Sequence, residues 1–433
     1  MSATAATRGS RAFVAAGVVW FVAFNAAVLA GASRSAAVVT GLYGFVFSVV
    51  FGKAYALVPS YFDRELALPS APLAHLPFAT VGVLGLFFGR LGPGDPLVGR
   101  SEAVGLSADG LLTVGALAWL AGVLVFVGTL AWTVRDNLTG SETGTSEANA
   151  ERRRVDRAAN AVVPLVGFYL VWGSLLPVAE ALDVRPSPID VVLGPLGAAS
   201  LSPMPTGPAA THVLAAGAAV LMLFGVGFRL LPRFLVGTPR FSLVATALAA
   251  GAPAPFLLAF DFYGGPAFAL GATLLAVAVV AYALVVLELI ANSDRRRVGF
   301  TGVGAGALFG VVVVALGWGM GVHGLDPGLA TAHYRLALGG FLGLTIVGVT
   351  YQFYPPAIGE APGVGDRNAL LVIVGLAVGF AIEAVGVGLE ATAALDGIVA
   401  LDPAALTATG SAIVFAASLG YAWILLSIFE QRR

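Results

Sequence analysis

The 433-residue chain is 58% hydrophobic and only 11% charged, with a mean hydropathy of +0.92 and a formal net charge of −1. Ordinary soluble domains carry roughly 25% charged residues, so a water-soluble globule is excluded and the lipid bilayer is the expected partner. The absence of cysteine removes disulfides, thiolate metal sites and iron–sulfur clusters. Nucleotide-binding, nucleophile-elbow and zincin signatures are missing too, so neither soluble enzymology nor nucleic acid is implied.

The chain opens with MSATAATRGSR, a basic flank before a full-length apolar run, which reads as a first transmembrane helix and not a cleaved signal. Twelve spans are expected, at about 11–33, 36–59, 72–91, 109–134, 159–183, 209–231, 241–262, 266–291, 299–322, 331–356, 368–389 and 404–429. Each supplies the ~20 residues a helix needs to cross the hydrocarbon core. Basic residues fall mostly on one side: Arg8, Arg11, Arg64, Arg135, Arg152, Arg153, Arg154, Arg157, Arg233, Arg240, Arg295, Arg296, Arg297, Arg367, Arg432 and Arg433. Arg34, Arg90, Arg100 and Arg185 fall on the other. Positive charge stays inside, so a multi-pass plasma-membrane protein with both termini in the cytoplasm is expected.

The longest inner connection, about 135–158, is polar and rich in Ser, Thr and Gly, which predicts a flexible linker. Its Asn137-Leu138-Thr139 triplet would be cytoplasmic and so not glycosylated.

Three spans share one frame: GFVFSVVFGKAYALVPSYF from Gly44, GAAVLMLFGVGFRLLPRFL from Gly217 and GFLGLTIVGVTYQFYPPAI from Gly340. Glycine recurs eight residues on (Gly52, Gly225, Gly348), then an aromatic (Tyr55, Phe228, Tyr351), then proline (Pro59, Pro232, Pro355). The copies are the second helix of three successive four-helix blocks, about 1–134, 159–291 and 299–429. All three run from outside to inside, so the repeat is parallel. The fold expected is all-α and integral to the membrane, with twelve transmembrane helices in three parallel, pseudo-threefold blocks.

This organisation, together with the AHYRLALGGFLGLTIVGVTYQFYPP helix, resembles the haem–copper oxidase subunit I superfamily, including nitric oxide reductase-like members. The resemblance implies haem-ligating histidines on helices 2 and 10 and copper-ligating histidines on helices 6 and 7. By matching position, His333 on helix 10 is the candidate haem ligand and His212 on helix 6 its partner. Helix 2 instead has Ala37, Val38 and Val39, and helix 7 (RFSLVATALAAGAPAPFLLAF) has no histidine. Oxygen reduction by two haems and a copper is therefore not expected. A single haem b, a metal ion or no group at all remains open, with copper disfavoured.

Only His75, His212, His323 and His333 exist. His212, His323 and His333 lie on the outer side and could approach one another as metal ligands. However, His212 and His333 are offset by two residues in the shared glycine frame, which at about 100° per residue would turn them to different faces. His75, between Pro72 and Pro77, reads as a polar cap at the opposite surface.

Ionisable groups within spans cost about 2.5–3.5 kcal/mol on insertion scales and usually have a partner or a role. Glu383 (GFAIEAVGVG) is the deepest acid. Arg335, beside His333, is expected either to pair with it or to hold an anion such as a haem propionate. Lys53 and Arg229 read as snorkelling anchors within reach of Glu288, while Glu180 and Asp261 read as solvated. Two functions follow. One is a haem- or metal-binding redox protein that senses, scavenges or passes electrons to a respiratory-chain partner. The other is a non-catalytic scaffold or permeation protein on the same fold.

Overall fold

A computed structural model describes residues 2–91, 105, 107–138, 140, 142–143, 147–183, 207–260, 262, 265–391 and 402–431. Arg100, Arg185, Asp261, Arg432 and Arg433 lie outside these residues. The protein is all-helical, with no strand among the described residues. Twelve helices are long and apolar enough to cross a membrane. They are α1 (Ala5–Leu29), α2 (Arg34–Tyr61), α3 (Ala71–Gly89), α4 (Ala108–Val134), α5 (Ala150–Ala181) and α6 (Pro208–Leu235). There follow α7 (Phe241–Phe260), α8 (Pro266–Ala291), α9 (Val298–His323), α10 (Pro327–Phe353), α11 (Asp366–Glu390) and α12 (Pro403–Gln431).

Neighbour contacts run α1–α3–α4–α5, then α5–α7–α8–α9, then α9–α11–α12 and back to α1. That closed ring surrounds α2, α6 and α10. The central windows of those three are 89%, 83% and 78% buried, against 33–50% for the ring helices. None of the exposed large hydrophobic side chains lies on α2, α6 or α10. The ring thus presents apolar side chains outward, as lipid requires, while the inner three helices bury theirs against protein.

The inner helices are those that carry the glycine frame, and each contains an eight-residue π-helical segment: Val39–Val46, Val213–Val220 and Leu336–Gly343. The first frame glycine falls inside each segment and seats an aromatic ring from the ring helix that precedes it in sequence. A Cβ on Gly44 would lie 2.8 Å from Trp20 Cγ, one on Gly217 2.6 Å from Tyr169 Cγ, and one on Gly340 3.0 Å from Phe309 Cγ. The second glycine lets backbones close up. A Cβ on Gly52 would meet the Ser10 carbonyl at 2.7 Å, and one on Gly225 the Ala159 carbonyl at 3.2 Å. Gly348 packs the same way on the Gly299 carbonyl of α9. Small residues that allow close approach are what hold helices together where lipid is as apolar as the side chains. The repeated sequence is therefore a repeated packing device.

The expected linker is partly built structure. Glu147–Arg152 forms a 3-10 turn and Arg153–Ala161 is the first helical stretch of α5. The last carbonyls of a helix have no partner within it, and this segment together with Arg229 of α6 supplies them for α2. The Tyr61 carbonyl accepts from Thr143 Oγ1 at 2.6 Å, Asn160 Nδ2 at 2.8 Å and Arg229 Nη1 at 2.9 Å, while the Phe62 carbonyl accepts from Asn137 Nδ2 at 2.8 Å. Asn137 is buried, with its amide committed to this contact; Thr139, the third residue of its triplet, lies outside the described residues.

Candidate functional site

Two of the four histidines share one cavity. His212 ends the first turn of α6 and His333 lies in the second turn of α10, each just ahead of its π segment. Their rings are 6.0 Å apart, centroid to centroid, with planes only 15° from parallel. The two-residue offset in the glycine frame turns the two side chains to different faces of their own helices, yet on neighbouring helices those are the faces that meet. His212 and His333 face each other.

Each ring is fixed through Nδ1. His212 Nδ1 is 2.7 Å from the Pro208 carbonyl, and His333 Nδ1 is 3.0 Å from the Val313 carbonyl of α9. A carbonyl only accepts, so Nδ1 carries the hydrogen in both, and each neutral imidazole keeps its lone pair on Nε2. A ligating histidine is normally oriented by such a bond from its other nitrogen. Glycine makes room for it in α9, where a Cβ on Gly317 would be 3.0 Å from His333 Cε1.

The pair lines a cavity of ≈ 620 Å³ that opens on the face where α6 and α10 begin, within the usual range for small-molecule sites. Phe268 and Gly317 also line it, and Arg34 and Arg90 stand at its rim. Beneath the histidines the space continues as a narrower cavity of ≈ 100 Å³ among Ala216, Leu258, Val279, Leu338 and Phe341. Arg34 donates to the Pro327 carbonyl at 2.9 Å and to Thr331 Oγ1 at 2.7 Å. Arg90 pairs with Glu180 at 3.0 Å, so Glu180 is not simply solvated.

The remaining candidates separate from this site. His323 is exposed at the end of α9 and lines neither cavity. The described residues contain no group of three or more His, Cys, Asp or Glu side chains suited to a metal ion. Arg335 lies two residues from His333, on another side of α10, and lines neither cavity. It is buried and paired with Glu383, Nε to Oε1 at 2.5 Å and Nη2 to Oε2 at 2.9 Å, with Asn25 Oδ1 at 3.4 Å and the Phe24 ring 4.7 Å away. Of the two expected roles for Arg335, the ion pair is the one formed.

Three other expectations change. His75 is not a surface cap: it is fully buried, 3.2 Å from Tyr55 Oη through Nδ1, and packed by the rings of Phe13, Phe51 and Phe126. Glu288 meets neither Lys53 nor Arg229 but pairs with Arg240 at 2.7 Å. Arg229 is buried beside Asp156, which also takes Arg233 at 2.7 Å, so it is an internal brace and not a snorkel. Sequence reasoning also missed the π segments and the rim arginines, since neither has a pattern of its own. The chain matches no protein-family model and no curated protein sequence.

Proposed function

We propose that this protein is a membrane redox protein on the scaffold of haem–copper oxidase subunit I, holding one haem b or metal ion through His212 and His333. One observation carries the reading: two imidazoles with their Nδ1 hydrogens committed to carbonyls, turning toward each other at 6.0 Å beside a roomy, mostly apolar cavity. Neutral imidazole nitrogen is the donor that haem iron and first-row metals accept. Bound there, a haem would supply one-electron transfer; the protein's part is to fix both rings, exclude water beneath them and set positive charge at the rim. Reduction of oxygen by the two-haem, copper-assisted route is not part of the proposal. Two imidazoles are too few for the copper site, and α2 carries no histidine for a second haem.

The ring order and the shared contacts of the three glycine frames support the wider reading as three four-helix units, α1–α4, α5–α8 and α9–α12, about a common axis. The arginine bias supports a plasma-membrane protein with both termini in the cytoplasm; on that reading the histidine cavity is on the outer side, facing an electron-transfer partner. Protein purified from haem-supplied cells should show a Soret band that His333→Ala removes. A colourless, metal-free preparation would instead favour the second reading, a non-catalytic scaffold or permeation protein. The rings' near-parallel packing alone would then account for the pair.

A further inference from the structure

The histidine cavity holds a third metal-ligating side chain. Met320 lines it together with His212 and His333. It lies on α9 three residues beyond Gly317, whose Cβ position meets His333 Cε1. Residues three apart share one face of a helix, so Met320 stands one turn from the point where α9 touches the imidazole. Both histidines keep their Nε2 lone pairs, because each Nδ1 hydrogen is committed to a carbonyl. A thioether has no hydrogen to give and offers only the lone pairs on sulfur. Two nitrogens and one sulfur, all neutral, thus line one space.

The rest of the wall selects among ions. No Asp or Glu lines this cavity or the narrower one beneath it. The side-chain oxygens on the wall are the neutral hydroxyls of Ser35, Thr211 and Tyr334, and Arg34 and Arg90 add positive charge. Calcium and magnesium take oxygen ligands, carboxylates above all, and meet none here. Zinc is held by three or four histidine, cysteine or carboxylate side chains, of which the cavity has two. Thioether sulfur is a soft donor, and soft donors select copper(I). A single positive charge is also the least penalised beside two guanidiniums. The ring centres stand 6.0 Å apart, and metal–nitrogen bonds of about 2.0 Å to both rings fit within that separation.

We propose that the cavity binds one copper(I) ion through His212 Nε2, His333 Nε2 and Met320 Sδ. The assignment rests on the reading of His212 and His333 as a ligating pair, and it names the ion they take. It differs from the three-imidazole copper site, which would need histidines on α7. Copper(II) prefers square-planar or tetragonal nitrogen and oxygen ligands, so this donor set holds the ion in its reduced state. Met320 is the specificity-determining residue: imidazoles alone suit several first-row ions, and the sulfur narrows the choice.

The test uses the full-length protein in detergent, stripped of metal and titrated without oxygen against a chromophoric copper(I) chelator. Silver(I) serves as a redox-inert probe and zinc(II) as the comparison. The expected result is one equivalent of copper(I) or silver(I) per chain, lost in His333→Ala. Met320→Leu, which nearly conserves volume, should weaken copper(I) by at least the ~10-fold that loss of even an outer-shell partner costs. Zinc(II) should bind more weakly than copper(I) and be indifferent to Met320→Leu. In protein carrying selenium in place of methionine sulfur, copper K-edge absorption should show one selenium neighbour, a readout that needs no variant to fold. Equal copper(I) affinity in Met320→Leu, or a copper ion without a selenium neighbour, would overturn the proposal. A Soret band lost in His333→Ala, in protein that takes up neither copper(I) nor silver(I), would overturn the copper assignment and leave the ligating pair standing. Protein that binds neither haem nor any of these ions would overturn both.

Discussion

His333 gives its Nδ1 hydrogen to the carbonyl of Val313 on α9, 3.0 Å away, while its ring packs over Gly317 one turn further along the same helix. That pairing sets the tautomer, and Gly317 sets the position. Without the glycine a side chain would occupy the place of the imidazole; without the carbonyl the lone pair could move to Nδ1. His212 repeats the arrangement with a carbonyl of its own helix, the Pro208 oxygen at 2.7 Å. The site is thus defined as much by what holds the rings as by the rings.

Gly317→Val should accordingly act like loss of a ligand although it removes no donor. Its branched side chain needs space that His333 Cε1 now fills at 3.0 Å from the Cβ position. On the haem reading, pigment per mole of protein should fall severalfold in Gly317→Val and nearly to zero in His333→Ala. The helical circular dichroism should be unchanged in both. Full pigment in both variants would remove His333 from the site.

Arg335 and Glu383 carry a different expectation. Both are nearly inaccessible, and the guanidinium meets the carboxylate through two contacts between α10 and α11. Removing one partner of a buried pair leaves an uncompensated charge and typically costs about 3–5 kcal/mol, whereas replacing both with apolar residues is often neutral. Glu383→Gln should therefore lower stability by about that amount in a detergent unfolding titration, and Arg335→Met with Glu383→Leu should recover most of it. Were the pair to serve a ligand instead, the double variant would keep its stability and lose the pigment.

Much of this architecture is legible in the letters. Twelve apolar runs mark the twelve spans, with ends within a few residues except at the starts of α1 and α5, where polar turns extend the helices to Ala5 and Ala150; hydropathy responds to lipid, which every ring helix meets. The Gly44, Gly217 and Gly340 frame picked out the inner helices, because three copies of one packing problem had three copies of one solution. His212 and His333 stood out as an outer-side pair. Their facing geometry did not, since phase counted along one helix does not tell which faces of two neighbouring helices meet. His75 was misplaced because two flanking prolines look like a surface turn, whereas Pro72 opens α3 and Pro77 sits inside it. The ordered part of the 135–158 connection was hidden because its polar side chains serve the carbonyls of Tyr61 and Phe62, distant in sequence.

The ring seats give a prediction without any cofactor. Gly44 touches Trp20 and Gly340 touches Phe309, each with space for hydrogen only. Overpacking a tight interface commonly costs about 1–3 kcal/mol. Gly340→Leu should destabilise the protein by at least that much. Shrinking the opposed ring, as Gly340→Leu with Phe309→Ala, should restore part of the loss. A coupling measured this way distinguishes direct packing from a general intolerance of leucine at position 340.

The same connection that caps α2 is held by charge at its surface. Arg64 donates to Asp136 at 2.9 Å and to Glu142 at 2.7 Å, outside the membrane-spanning segments. Those hydrogen bonds hold both carboxyls below their ordinary range. A group whose value is lowered by folding stabilises the folded form above its unfolded value, and that contribution disappears as pH falls through the lowered one. The connection should thus be tightest at neutral pH and loosen below about pH 4, where free carboxyls take up protons. Exposed pairs are also screened by salt. Hydrogen exchange at residues 136–143 should rise on acidification, and Arg64→Gln should show the same rise at pH 7 without acid. Thr143 and Asn137 lie in that stretch, so loosening it also weakens the cap on the Tyr61 and Phe62 carbonyls. If exchange there is indifferent to both pH and the Arg64 substitution, the buried donors alone hold the connection and the surface charges contribute nothing measurable.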